Sequence, residues 1–165
     1  MPRLFYLFVL ALPLAAEAAC PKSIAGNYVI HGTKSSPTLV SGRAGTLSLG
    51  AVASGVGSVS PGAFVYNDIV SGSDSVSGEM SPAVPNAARY TYDGRCQGYV
   101  WQTDEEDPSK LQVDFLFVSD SGAQIVIVDG PTGVAKNSAG NPVTPLPTSW
   151  QNPSGQTGVL NLRKQ

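Results

Sequence analysis

The chain has 165 residues, a formal net charge of −2, 13% charged residues, 18 glycines, 13 prolines and two cysteines. That balance leaves no basic stripe for nucleic acid and no polybasic patch for anionic lipid, which argues against both partners. Charged content is about half the usual quarter of a globular domain, and the glycine and proline excess fits short strands joined by many turns.

Residues 1–18 read as an export signal. Arg3 is followed by an apolar run from Leu4 to Ala16, broken only by Pro13, and Ala16-Glu17-Ala18 is a small-x-small cleavage site. A transmembrane helix needs about 20 apolar residues, so this run is too short to serve as an anchor. Lipidation of Cys20 is disfavoured by Glu17, which stands where that recognition box prefers Leu. The expectation is a secreted protein, extracellular or periplasmic, without membrane association after cleavage. Residues 19–165 are expected to form one domain. With only Cys20 and Cys96 present in an exported chain, a disulfide between them is expected to staple the new N-terminus to the fold.

No later window has helical periodicity, whereas several alternate in β-branched and aromatic residues. Strands are predicted at Asn27–Gly32, Gly45–Leu49, Ala51–Ser60, Ala63–Val70, Ser75–Met80, Ala87–Asp93, Cys96–Gln102, Leu111–Ser119, Ala123–Asp129 and Gly158–Leu162. Asp93-Gly94 supplies the positive φ angles of a type I′ hairpin turn, after which Cys96 starts a strand. Ser119 to Gly122 turns the next hairpin, and an acidic loop from Asp104 to Asp107 links the strands on either side of it. From residue 130 to 156 the chain is rich in Pro, Gly, Asn and Ser, which predicts a long loop positioned as a lid, with Trp150 docking it.

Eight or more antiparallel strands in one small domain either close on themselves or stack as two sheets. An immunoglobulin-type sandwich would place a Trp between its cysteines and a Tyr two residues before the second. Here that position is Gly94, and Trp101 follows Cys96. The predicted fold is therefore all-β, a single antiparallel up-and-down barrel of about eight strands, with a β-sandwich as the alternative.

Several segments also carry a resemblance: Cys20-Pro21, Ala25-Gly26-Asn27-Tyr28, Tyr90 through Gly98, Phe115-Leu116-Phe117-Val118, and Gly158-Val159-Leu160-Asn161-Leu162 before a basic end. Together they resemble small secreted calycin-like barrels of the lipocalin and avidin style, with Tyr28 where a lipocalin carries Trp. The resemblance implies the architecture. Its motifs mark strand starts and the disulfide rather than chemistry.

The chemical inventory is short. His31 is the sole histidine, and no Gly-x-Ser-x-Gly elbow presents a nucleophile to it, so it is read as an ordinary strand-end residue. One His and two paired cysteines cannot complete a zinc site. Asp104, Glu105, Glu106 and Asp107 lack the spacing that wraps a loop around calcium and read as a solvated tip. No glycine-rich phosphate loop precedes a helix. No cofactor or metal is expected.

Strand alternation instead groups Phe64, Tyr66 and Asp68 on one face, Tyr90 with Tyr92, Tyr99 with Trp101, and Leu111, Val113, Phe115 and Phe117. Pointed inward, these faces would line an apolar cup of about 300 Å³ or more for one small molecule. Asp68 and Tyr92 are the candidate catalytic groups, while Asp114 shares its side with Lys110 and Gln112 and is read as solvent-facing. The expected function is binding of a small hydrophobic or aromatic molecule. A cofactor-free isomerase, cyclase or pericyclase in the same cup is the alternative, and a structural or interaction protein with a filled barrel the third reading.

Overall fold

Alternating β-branched or aromatic and small or polar residues fold into ten strands in the computed structural model, which describes residues 20–36, 39–70, 76–80, 88–104, 107–119, 121–146 and 157–165. Within the strands, the side chains of Leu39, Pro61, Phe64, Tyr66, Asp68, Val70 and residues 76–80 fall outside that description. The strands are β1 (Gly26–Ser36), β2 (Leu39–Leu49), β3 (Gly57–Val70), β4 (Val76–Met80), β5 (Arg89–Tyr92), β6 (Gln97–Thr103), β7 (Lys110–Val118), β8 (Gln124–Val128), β9 (Val134–Ala135) and β10 (Thr157–Lys164). The predicted signal peptide lies outside the described residues, as does Trp150.

Eight strands close a ring in the order β1, β2, β3, β5, β6, β7, β8, β10, each antiparallel to the next, with β10 returning to β1. This is a closed up-and-down barrel, which leaves the ring without a free edge. The lower part of β3 pairs with β5 through Gly57↔Tyr90 and Ser58↔Arg89, and its upper part carries β4 through Phe64↔Met80 to Asp68↔Val76. β9 pairs with the start of β7.

The lower end is closed by chain and packing together. Ile24, Tyr28, Ile30, Leu47, Leu49, Tyr90, Leu116, Val118, Ile125, Ile127 and Leu162 form one buried cluster inside it. Three phenols tie this cluster to the segments beneath: Tyr28 Oη donates to Ile24 O (2.6 Å), Tyr90 Oη to Gly50 O (2.6 Å) and Tyr92 Oη to Pro21 O (2.7 Å). Each buried hydroxyl thereby keeps a partner, which a packed interior requires. The Cys20–Cys96 disulfide fastens the same end, with Cα atoms 5.1 Å apart.

Three expectations need correction. Residues 51–56 are a turn rather than a strand, with Ser54 and Gly55 at φ of 52° and 84°. The β5–β6 hairpin is not a two-residue type I′ turn: Asp93 N–H donates to Gln97 O (3.3 Å), leaving Gly94, Arg95 and Cys96 as the loop, with φ of 74° at Gly94 and 62° at Cys96. Asp93 Oδ1 accepts from Arg95 N–H (2.7 Å), so the aspartate organises the turn it was expected to occupy centrally. Cys96 thus ends the turn, and its left-handed backbone is the bend through which the chain enters β6.

The third correction concerns residues 130–146, which do not cap the barrel mouth. They lie as a strap on the outer wall, held by β9 against β7, by Trp101 Nε1 donating to Gly140 O (3.3 Å) and by Arg89 donating to Ala139 O (3.2 Å). Beneath the strap is a second buried cluster of Trp101, Leu111, Val113 and Val134, joined by Val56, Tyr99 and Leu146.

Candidate ligand-binding site

Cross-strand register determines which side chains enter the barrel. Leu116 pairs with Ile127, Ile127 with Leu160, Leu160 with Gly32 and Gly32 with Arg43, and this inward row roofs the apolar cluster. One step nearer the mouth, the same inward parity brings Asp114, Asp129, Gly158, Lys34 and Ser41 onto a row in that order. The interior therefore changes character along its axis, apolar and filled below, polar and two-signed above.

The backbone fixes both carboxylates. Asp129 N–H donates to Gly158 O (3.1 Å), and Val113 N–H to Pro131 O (2.9 Å), so β8 leaves the ladder with Asp129 still turned inward. Asp114 Oδ1 accepts from Gly130 N–H (3.2 Å) and from Gln112 Nε2 (3.3 Å). Burial raises the Asp114 pKa to about 6, with the nearby Asp129 charge adding to the rise; the Gly130 and Gln112 donors and the Lys34 charge oppose it. Asp129 Oδ2 is buried and has no hydrogen-bond partner. A Cβ added at Gly158 would stand 3.0 Å from that oxygen, so the glycine makes room for the Asp129 carboxylate to lie over β10.

On the opposite wall Ser41 is fully buried and accepts from Arg43 Nε (3.3 Å). Among the described residues, no ion pair within 4.0 Å joins Lys34 or Arg43 to either carboxylate. The upper barrel thus holds charges of both signs, set apart and incompletely paired.

The expected site residues divide by face. Tyr90 and Tyr92 point inward as predicted, but into the packed lower half with their hydroxyls committed to Gly50 and Pro21. Burial holds the Tyr92 pKa above its ordinary value, against the donor from the Cys96 backbone. Tyr92 is a closing strut of the lower end, through its bond to Pro21 O.

Tyr99, Trp101, Phe115 and Phe117 are on the outer face, which overturns their assignment as interior walls. Tyr99 and Trp101 belong to the cluster under the strap, Phe115 stacks against Tyr99 with ring centroids 5.9 Å apart, and Phe117 is 48% exposed. The cause is a parity of one residue: on β7 the apolar row Leu111, Val113, Phe115 and Phe117 faces out, and Gln112, Asp114, Leu116 and Val118 face in. Asp114, expected in solvent, is consequently interior. The side chains of Phe64, Tyr66 and Asp68 lie outside the described set; their backbones pair with Gly45, Arg43 and Ser41.

His31 stands in the middle of β1, not at its end, on the outer face. It lines a shallow external groove of about 480 Å³ with Thr33, Ala44, Val65, Val159 and Asn161. In the acidic loop Asp107 accepts from Ser109 and meets Lys110 at 3.9 Å, and Asp104 Oδ2 accepts from Gly133 N–H (3.0 Å). Hydrogen bonding from Ser109 lowers the Asp107 pKa. Among the described residues no group of three or more His, Cys, Asp or Glu side chains is placed to hold a metal.

Fold and site together define a closed eight-stranded barrel with a charged upper interior. No family model, curated protein or solved structure matches the chain.

Proposed function

We propose that the protein is a secreted barrel that binds one small molecule in the upper half of its interior. The observation that carries this reading is the buried, partnerless Asp129 Oδ2 on a row that also holds Asp114, Lys34 and Ser41. An enclosed acceptor without a donor costs on the order of 1–3 kcal/mol, a penalty a filled structural barrel has no reason to retain. A ligand with donor groups removes it. The inward row of Leu116, Ile127 and Leu160 offers the ligand's hydrophobic or aromatic body an apolar floor.

The resemblance to calycin-like barrels supports the same reading at the level of fold. The N-terminal apolar segment and the disulfide support export into an oxidising compartment.

A second reading, a cofactor-free isomerase or cyclase, is favoured by the pairing of Asp114 with Asp129. Burial and the neighbouring Asp129 charge raise the proton affinity of Asp114, which suits it to act as the acid beside a second carboxylate. Protonated Asp114 would give its proton to a substrate carbonyl oxygen while Asp129 takes one from the adjacent carbon. Return of the second proton to another carbon, and of the first to Asp114, completes an isomerisation without net change.

Native mass spectrometry of the protein recovered from its own source tests the binding reading. The expected result is a bound small molecule that is lost in Asp129→Ala. Recovery of ligand-free protein, together with a solid interior at the level of Asp114, would establish the filled structural barrel instead.

A further inference from the structure

We infer that the outer wall formed by β3, β2, β1 and β10 is the interface of a two-fold dimer, with a second copy of the chain as its occupant. This goes beyond the interior-binding reading and is independent of it.

Exposed apolar side chains are concentrated on this wall. Val29, Val40, Val65, Ile69 and Val159 all project from it, with Val40 50% and Ile69 54% exposed. By strand parity, Arg163 at the lower margin is the one formally charged side chain on the outward face of these four strands among the described residues. Glu79 of β4, paired with Val65, stands just beyond the opposite margin. A neutral apolar centre between charged margins is the anatomy of an interface, and exposed patches above a few hundred Å² mark interaction sites. β1 and β2 are each 11 residues long. At about 4.8 Å between strands and 3.4 Å per residue, a four-strand face of that length covers roughly 700 Å². That is close to the roughly 800 Å² each partner contributes to a stable interface.

The shape of the wall and the chemistry of its polar groups both select a second copy. Val40 and Ile69 are cross-strand neighbours and form a knob near the upper end. Two outward rows lower, Ala44 lies between His31 and Val65 in the external groove of about 480 Å³. Halfway between knob and groove runs the row Val159, Thr33, Gly42 and Asn67. A two-fold axis along this row, in the plane of the wall, seats the knob of each copy in the groove of the other. Residues on the axis then meet their own counterparts, so their side chains must be able to pair with themselves. Thr33 and Asn67 each carry a donor and an acceptor, as do Asn161 and His31 beside the groove. Lysine, arginine and ionised carboxylates lack that capacity, and on these four strands none projects outward from the three rows.

Gly42 is an independent sign of close approach. Its φ is not left-handed, and a Cβ there would meet only Asn67 O, at an ordinary 3.9 Å. Among the described residues nothing within the protomer therefore requires a glycine, although glycine weakens a strand interior. A second backbone passing close to β2 on the axis accounts for it.

Sedimentation velocity on the exported, disulfide-intact protein tests the interface, at concentrations from about 1 to 100 µM. The expected result is a species of twice the protomer mass that dissociates on dilution. Gly42→Val adds bulk on the axis where a Cβ has room within the protomer, and Ile69→Lys puts a charge on the knob. Each should weaken the dimer about tenfold or more while keeping the wild-type circular dichroism spectrum. Methyl NMR locates the contact separately: in the wild type, the Val40, Val65 and Ile69 signals should shift as dilution dissociates the dimer.

A monomer throughout the concentration range overturns the proposal, as does a trimer or larger assembly. A dimer that keeps wild-type affinity in either folded variant, or whose dissociation leaves those methyls unmoved, has its contact elsewhere and overturns the proposal too. Should a variant lose its fold, the methyl shifts decide. None of these outcomes alters whether a small molecule is recovered with the protein, so interior binding stands or falls by its own measurement.

Discussion

Asp114 concentrates the chemistry of the upper barrel in one residue, and its proton affinity gives a measurable signature. Its folded pKa of about 6 lies above the ordinary 3.8, so the folded state holds the proton more tightly than the unfolded chain does. That contribution is fully present below pH 4 and is lost as pH rises through 6, with a slope of at most about 1.4 kcal/mol per pH unit between those limits. Asp114→Asn keeps an acceptor for Gly130 and Gln112 while removing the titration. Urea midpoints of wild type minus variant should therefore fall between pH 4 and pH 7; a flat difference would show that Asp114 titrates normally. A second residue carries a steric prediction. A Cβ at Gly57 would collide with the buried Tyr90 ring, so Gly57→Ala should cost about 1–3 kcal/mol in thermal or urea unfolding. Neither role is visible in the sequence. Asp114 alternates with Val113 and Phe115, and nothing local says which of the two sets faces the barrel axis.

At the scale of elements, the strap explains why that parity was misread. Apolar alternation on β7 marks a buried face correctly, since Leu111 and Val113 are indeed covered, but the cover is residues 130–146 rather than the barrel interior. A strand buried on both faces reads as nearly continuous in apolar residues, and then alternation loses its power to distinguish inside from outside. The strand positions themselves were legible because Gly, Pro and Asn punctuate them, and alternation was enough to put Tyr90 and Tyr92 on one face. The strap predicts its own test. Leu111→Ala opens a void under Val134 and should cost about 2–5 kcal/mol. Because the loss falls on the outer cluster, limited proteolysis should cut within 130–146 before the barrel strands, and equal protection of the strap in wild type and variant would show that the cluster does not hold it.

For the molecule as a whole, closure of the ring and closure of its lower end are separate problems. Backbone pairing alone completes the ring, with β10 returning to β1 over eight residue pairs from Tyr28↔Lys164 to Ser35↔Thr157. The lower end depends instead on the segment before β1, which brings Ile24 into the core, Pro21 O to Tyr92 and Cys20 to Cys96. This segment has no strand partner, so the disulfide is its covalent restraint. The two cysteines are 76 residues apart in sequence, a separation for which loop closure in the unfolded chain is worth about 4 kcal/mol. Reduction, or Cys20→Ser with Cys96→Ser, should lower thermal stability by up to that amount. It should also release the segment first: amides near Ile24 and Tyr92 should lose hydrogen-exchange protection while those of β7 and β8 keep theirs. An unchanged melting temperature after complete reduction would mean that the phenol hydrogen bonds and Ile24 hold the lower end by themselves. Retained protection at Asp129 and Gly130 in the reduced protein would further show that the charged upper interior stands independently of the staple beneath it.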